Sequence, residues 1–213
     1  MLFQDRTDAG RKLAKALLNY KSRHPVILAL PRGGVLVAAE VAAELDAPLD
    51  LLLVRKIGLP SQPELAMGAM ADGEEPTIVR NDEVIELSGV SEQEFEEVCR
   101  EEHAELERRR QRYLGDRARS EVKGRVAIII DDGIATGATT LAAIKAARKR
   151  EPKELVLAIP VAPLDTVKRL HPEVDAIVCL DTPQDFGAIG YFYRDFRQIN
   201  DDEVIAILRR FPR

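Results

Sequence analysis

Two adjacent carboxylates, Asp131 and Asp132, follow the apolar run 126–130, and the stretch Gly133-Ile134-Ala135-Thr136-Gly137-Ala138-Thr139 follows them directly. The β-branched run suits a buried strand, and the Gly- and Thr-rich turn suits the start of a helix over 139–149. Backbone N–H groups at a helix start are unpaired and lie at the positive end of the peptide dipoles, which fits a phosphate dianion. Gly133 and Gly137 let the backbone come close to a ligand, while Thr136 and Thr139 add hydroxyl donors. Carboxylates beside a phosphate are unsuited to binding it and fit better as acceptors for sugar hydroxyls. Phosphate donors next to two such acceptors describe a ribose 5-phosphate site.

Other segments offer complementary chemistry. Leu30-Pro31-Arg32-Gly33-Gly34 is again a strand end feeding a helix, where Arg32 can fork two N–H groups onto a phosphate and Gly33-Gly34 expose backbone donors. Arg55-Lys56 places two cations at the root of an irregular stretch. Phe186, Tyr191, Phe192, Tyr193 and Phe196 gather within eleven residues of a chain that is only 5% aromatic. Rings at such a place can stack on a flat heterocycle, or form a small core of their own. Phe186 and Tyr191 are the candidate ligand contacts.

The elements that must hold these residues read as α/β. Apolar runs at 26–30, 50–54, 126–130, 154–160 and 175–180 suit strands covered on both faces, and 34–45 and 139–149 suit crossover helices. The expectation is a doubly wound parallel sheet of about five strands in a single domain, 1–213. Ligands of such sheets gather outside the carboxyl ends of the strands. Residues 55–80, with Pro60, Pro63 and Pro76 among Gly58, Gly68 and Gly73, read as a long loop or a β-excursion. Residues 91–114 form an extra charged helix opened by a Ser91/Glu94 capping box, with a thin apolar stripe of Phe95, Val98, Cys99 and Leu106.

Composition narrows the function classes. A net charge of −5 gives no global basic field, so neither nucleic acid nor an anionic membrane is expected as a partner. Cys99 and Cys179, far apart, suit a reducing compartment. The N-terminus has early acids and no apolar core of a signal peptide, and no run approaches membrane-span length. A cytoplasmic protein is expected. His24, His103 and His171 lack ligand spacing and read as exposed. The basic cluster Arg108–Arg112 shares its helix with Glu101, Glu102, Glu105 and Glu107 and reads as self-pairing. Met67 and Met70 read as packing residues, and no side-chain cluster forms a direct metal cage.

At IIIDDGIATGATT the chain resembles the type I phosphoribosyltransferases, whose motif for phosphoribosyl pyrophosphate (PRPP) is an apolar strand, two acids and a loop ending in Thr-Gly. RKIGLPSQPELAMGAM and FGAIGYFYRDF are similar to segments of a bacterial group of such enzymes without an assigned acceptor. The resemblance implies that PRPP binds Asp131, Asp132, Gly133, Ile134, Ala135, Thr136, Gly137, Ala138 and Thr139. It adds Arg32, Gly33 and Gly34 as the pyrophosphate loop, with a non-proline cis peptide at 31–32, and Arg55 and Lys56 as the root of a flexible loop, 55–70. A small hood near 1–8 and 183–199 would hold the acceptor. The helix 91–114 is an insertion relative to the family's minimal core.

The resemblance further implies transfer of the phosphoribosyl group to a small nitrogenous acceptor, with Asp131, Asp132 and Lys56 serving the chemical step. Mg²⁺ would arrive with PRPP, touching Asp131 and Asp132 through water, and a homodimer is left open. In 6-oxopurine enzymes an Asp precedes the Thr-Gly. Here that position is Ala135, so hypoxanthine and guanine are not the expected acceptors. The same fold also serves PRPP-sensing regulators without catalysis, and generic sugar-phosphate binders, which remain alternatives.

Overall fold

The computed structural model describes residues 1–73 and 75–211; of the expected domain 1–213, residues 74, 212 and 213 lie outside the described residues. Its strands are β1 (Val26–Ala29), β2 (Leu49–Leu51), β3 (Val54–Leu59), β4 (Gln62–Ala71), β5 (Thr77–Arg80), β6 (Val126–Ile130), β7 (Glu154–Val161) and β8 (Ala176–Asp181). Its α-helices are α1 (Arg6–Ala16), α2 (Gly34–Leu45), α3 (Asp82–Ser88), α4 (Glu92–Leu114), α5 (Ala138–Lys149), α6 (Leu164–Leu170) and α7 (Asp201–Leu208).

Five strands make one parallel sheet in the order β2-β1-β6-β7-β8. Successive side chains alternate between its faces. Ile27, Ala29, Ile128, Ile130, Val156 and Ala158 join one core with residues of α1 and α2. Val26, Leu28, Ala127, Ile129, Leu155 and Leu157 join a second core with residues of α5 and α6. Both faces are therefore covered, which is why these runs are apolar throughout. The strand order reverses between β1 and β6, and at such a switch point the two following loops diverge and leave a crevice.

The expected strand 50–54 is divided. β2 stops at Leu51, Leu52 and Leu53 cross over, and Val54 opens a second sheet of antiparallel strands ordered β3-β4-β5. The buried Asp72 fixes that crossing. Its carboxylate accepts from the N–H of Leu53 at 2.8 Å, its own N–H donates to the Leu53 carbonyl at 2.9 Å, and Arg119 lies 2.8 Å from its other oxygen. Of the two readings of 55–80, the β-excursion is thus the observed one. Ile57, Met67 and Met70 pack in the core that holds Phe95, Cys99 and Leu106 of α4, while Ala69 and Ala71 face the core of α5.

The Ser91/Glu94 capping box opens α4 as expected. Most of its basic cluster pairs locally, with Arg108 and Arg109 on Glu105 and Arg110 near Glu107, but Arg112 reaches away from the helix to meet Asp201 and Asp202 of α7. His24 and His171 are exposed, but His103 is half-buried because α4 lies against the antiparallel sheet. Among the described residues no helix is long and apolar enough to cross a membrane.

Candidate active site

Leu30 N–H donates to the Ile130 carbonyl at 2.9 Å, so the chain leaves β1 and β6 side by side. The turn after β1 then lies directly on the acid pair after β6. A Cβ on Gly33 would sit 1.9 Å from Asp132 Oδ2, and one on Gly34 would sit 2.9 Å from Asp131 Cα. Only glycine permits this approach. The Pro31–Arg32 peptide is cis, and α2 starts at Gly34. Arg32 is partly exposed, and its guanidinium lies 3.8 Å from Asp201 at the start of α7.

Each carboxylate commits one oxygen to the protein. Asp131 Oδ1 accepts from the Asp132 N–H at 2.8 Å, and Asp132 Oδ2 accepts from Arg6 Nε at 2.6 Å. No N–H donor among the described residues reaches the second oxygen of either acid, though the two carboxyls also interact with each other. Removal from water, and then the neighbouring Asp132 charge, push the Asp131 carboxyl well above the usual carboxylate range. Tyr193 donates its hydroxyl to the Asp132 carbonyl at 2.5 Å, and burial keeps that phenol neutral.

The loop beyond the acids is held by its carbonyls. Thr166 donates to the Ala135 carbonyl at 2.7 Å, Arg169 donates to that of Thr136, and the Ile134 N–H is taken by Val161. Gly137 has φ +72°, a conformation that favours glycine. The N–H groups of Ala135 to Thr139 have no acceptor among the described residues, as expected where a helix begins. Thr136, Gly137, Ala138 and Thr139 line a cavity of about 740 Å³ shared with Lys56, Arg80 and Arg169.

The structure therefore brings Gly33 and Gly34 to Asp131 and Asp132, and Lys56 to the cavity lined by residues 136–139, while the Arg32 guanidinium lies towards Asp201. It does not bring Arg55 to that cavity. Neighbouring strand residues point to opposite faces, and Arg55 Nε instead lies 2.6 Å from Glu102 of α4. Lys56 is 3.0 Å from Glu64 across the hairpin.

The aromatic segment divides into two groups. Phe3, Tyr193 and Phe196 form a small core with Ala9 and Phe192, joined by a bridge between Phe3 and Tyr193. Phe186 stacks on Phe192, and Tyr191 is 77% exposed. Neither touches the acid pair. The sequence does not single out Thr166 and Arg169, and it places Arg6 and Tyr193 only in the expected hood; the four hold Asp132 and the loop beyond it. No local motif marks them, since each acts on a residue distant in the chain.

The Phosphoribosyl transferase domain model matches residues 3–197. Over 212 residues the chain is 49% identical to a Mycobacterium tuberculosis H37Rv protein named "Putative phosphoribosyl transferase Rv0571c". All of this chain is covered, but it spans about half the length of such curated relatives, 47% of theirs. The crystal structure of TT1426 from Thermus thermophilus is similar over 99% of both chains, with TM-score 0.84 and 40% identity. A Neisseria gonorrhoeae protein solved with bound ppGpp shares the fold, with TM-score 0.52 at 14% identity over 99% of this chain and 94% of its own. With a family match that spans nearly the whole chain, and an acid pair, a glycine turn and a loop with free N–H groups at one switch point, this chain belongs to the phosphoribosyl transferase domain family.

Proposed function

We propose that this chain transfers the 5-phosphoribosyl group of PRPP to a nitrogen nucleophile, a base or an amine other than hypoxanthine or guanine, and releases pyrophosphate. The observation that carries this reading is the close packing of Gly33 on Asp132 at the switch point. It sets a turn suited to pyrophosphate against a carboxylate pair suited to ribose hydroxyls, with free N–H groups for a 5-phosphate just beyond.

In the reaction the bond from C1 to the pyrophosphate oxygen breaks and a bond from C1 to nitrogen forms. Positive charge develops on the ribosyl centre, so the protein's contribution is positioning and electrostatics. Residues Ile134 to Thr139 hold the 5-phosphate. Asp131 and Asp132 orient the ribose hydroxyls with their unused oxygens and place negative charge near C1. Arg32, with the backbone of Gly33 and Gly34, receives the departing pyrophosphate. Lys56 and Arg55 join them when the hairpin of β3 and β4 rearranges over the substrate. The two unused carboxylate oxygens suit Mg²⁺ held mainly by substrate oxygens and water, and the ion would neutralise pyrophosphate charge. Ala135 can neither give nor take the proton that a 6-oxopurine requires. Phe186 and Tyr191, the latter exposed, remain the side chains offered to an acceptor.

The test is incubation with PRPP and Mg²⁺ against a panel of bases and amines, with pyrophosphate as readout. Acceptor-dependent pyrophosphate release supports transfer. PRPP binding with no release for any acceptor would turn the reading into a PRPP sensor, and turnover of guanine would remove the argument from Ala135.

A further inference from the structure

Arg6 is the first residue of α1, whose start is fixed by Asp5 accepting from the N–H of Asp8. The residue is 7% exposed, and its guanidinium has three neighbours from distant parts of the chain. Nε lies 2.6 Å from Asp132 Oδ2, one terminal nitrogen donates to the Arg197 carbonyl at 2.9 Å, and the Phe196 ring covers it at 3.8 Å. The same segment reaches Asp132 a second time through the Tyr193 hydroxyl. The chain before Arg6 is bound to this segment too. Phe3 N–H donates to Phe192, while Arg194 and Asp195 N–H groups return to Phe3 and Gln4.

A buried ion pair contributes little net stability, but loss of one partner leaves the other charge uncompensated. An ion pair kept at the one carboxylate that Gly33 touches thus has its main effect on that carboxylate. We infer that Arg6 is a positioning residue: it holds the Asp132 carboxylate rotated so that one oxygen stays available to the ribose, and it ties that geometry to segment 192–197. The inference rests on the PRPP reading of the site. It assigns Arg6 no contact with substrate. The start of α1 with the residues before it, and the segment 192–197 well beyond β8, both outside the PRPP motif, would then decide how well the motif binds.

The experiment is calorimetry with PRPP plus Mg²⁺, and separately with inorganic phosphate, on wild type, Arg6→Gln, Arg6→Lys, Asp132→Asn and the Arg6→Gln/Asp132→Asn double variant. Arg6→Gln should weaken PRPP by about 10- to 30-fold and leave phosphate within about twofold, because the 134–139 loop is held separately. Arg6→Lys keeps the charge and should recover most of the loss. In the double variant Arg6→Gln should add nothing to Asp132→Asn, since residues acting as a unit are not additive. Should Arg6→Gln not fold, Arg6→Lys decides, with a selective loss of about three- to fivefold for PRPP expected. Equal losses for PRPP and phosphate, or full additivity with Asp132→Asn, would overturn the inference while leaving the PRPP site intact. A wild type that binds phosphate but not PRPP would overturn both.

Discussion

The loop after β6 and the hairpin of β3 and β4 face one cavity, yet they stand in opposite relation to an anion. In the loop, the carbonyls of Ala135 and Thr136 are taken by α6 while the N–H groups of Ala135 to Thr139 stay free. Its donors are oriented before any ligand arrives, and a preorganised site loses little on binding. In the hairpin, Lys56 is engaged by Glu64 and Arg55 by Glu102. Those cations must leave internal carboxylates before they can meet phosphate. In the proposed reading the packed parallel sheet supplies a ready site, and the antiparallel excursion supplies charge only after rearrangement.

The contrast breaks most readily at the acids. Asp131→Asn with Asp132→Asn keeps shape and removes charge, and PRPP affinity should fall at least about 100-fold, as two hydrogen bonds to charged groups imply. Inorganic phosphate should be affected far less. Equal PRPP affinity of wild type and double variant in calorimetry would contradict the ready site.

A smaller change is expected from Thr166→Val, which removes the donor to the Ala135 carbonyl at 2.7 Å. One such bond is worth about 1 kcal/mol, so PRPP and phosphate should both weaken by roughly fivefold. If only PRPP responded, the loop would not be the phosphate holder.

The acid pair also carries a stability signature. Below about pH 4 Asp131 is protonated whether the chain is folded or not, since its ordinary value is 3.8. Above that, the unfolded chain releases a proton that the folded chain retains, so stability falls as pH rises towards the raised folded value. Asp131→Asn removes the penalty. Its Tm should match wild type near pH 4 and exceed it near pH 8, by roughly 2–4 °C for each kcal/mol in a chain of this size. A Tm below that of wild type at the higher pH would mean that the charge is fully compensated.

The weakest effect concerns the hairpin. Glu102→Gln frees Arg55 from a partly buried pair, and PRPP should bind up to about fivefold more tightly, within the range of such pairs. Limited proteolysis should cut the exposed tip at 60–65 in the free protein, and PRPP with Mg²⁺ should suppress the cut. An unchanged affinity and an unchanged cleavage pattern would show that the hairpin takes no part in binding.

What the sequence determined by itself is local. The run 126–130, the turn after it and the helix at 34–45 follow from burial on two faces, from glycine and from helix-start chemistry within a few residues. The same holds for the Ser91/Glu94 capping box, where both partners lie one turn apart. The four helices α1, α3, α6 and α7 were not legible in the same way. α1 is rich in charge, and α3, α6 and α7 are short, so their place is set by packing more than by propensity.

Tertiary structure alone decided which side chains serve the acids. Arg6 reaches Asp132 across 126 residues of sequence, and Tyr193 reaches it across 61. Adjacent Arg55 and Lys56 read as one cationic pair, but a strand turns neighbours to opposite faces, so one meets α4 and the other the cavity. The aromatic cluster likewise divided when Phe3 paired with Tyr193 and drew Phe196 into a core. A motif encodes backbone donors and the charges next to them. Which charges are then paired, covered or left available depends on contacts between segments far apart in the chain, and folding brings those together only through the whole sheet.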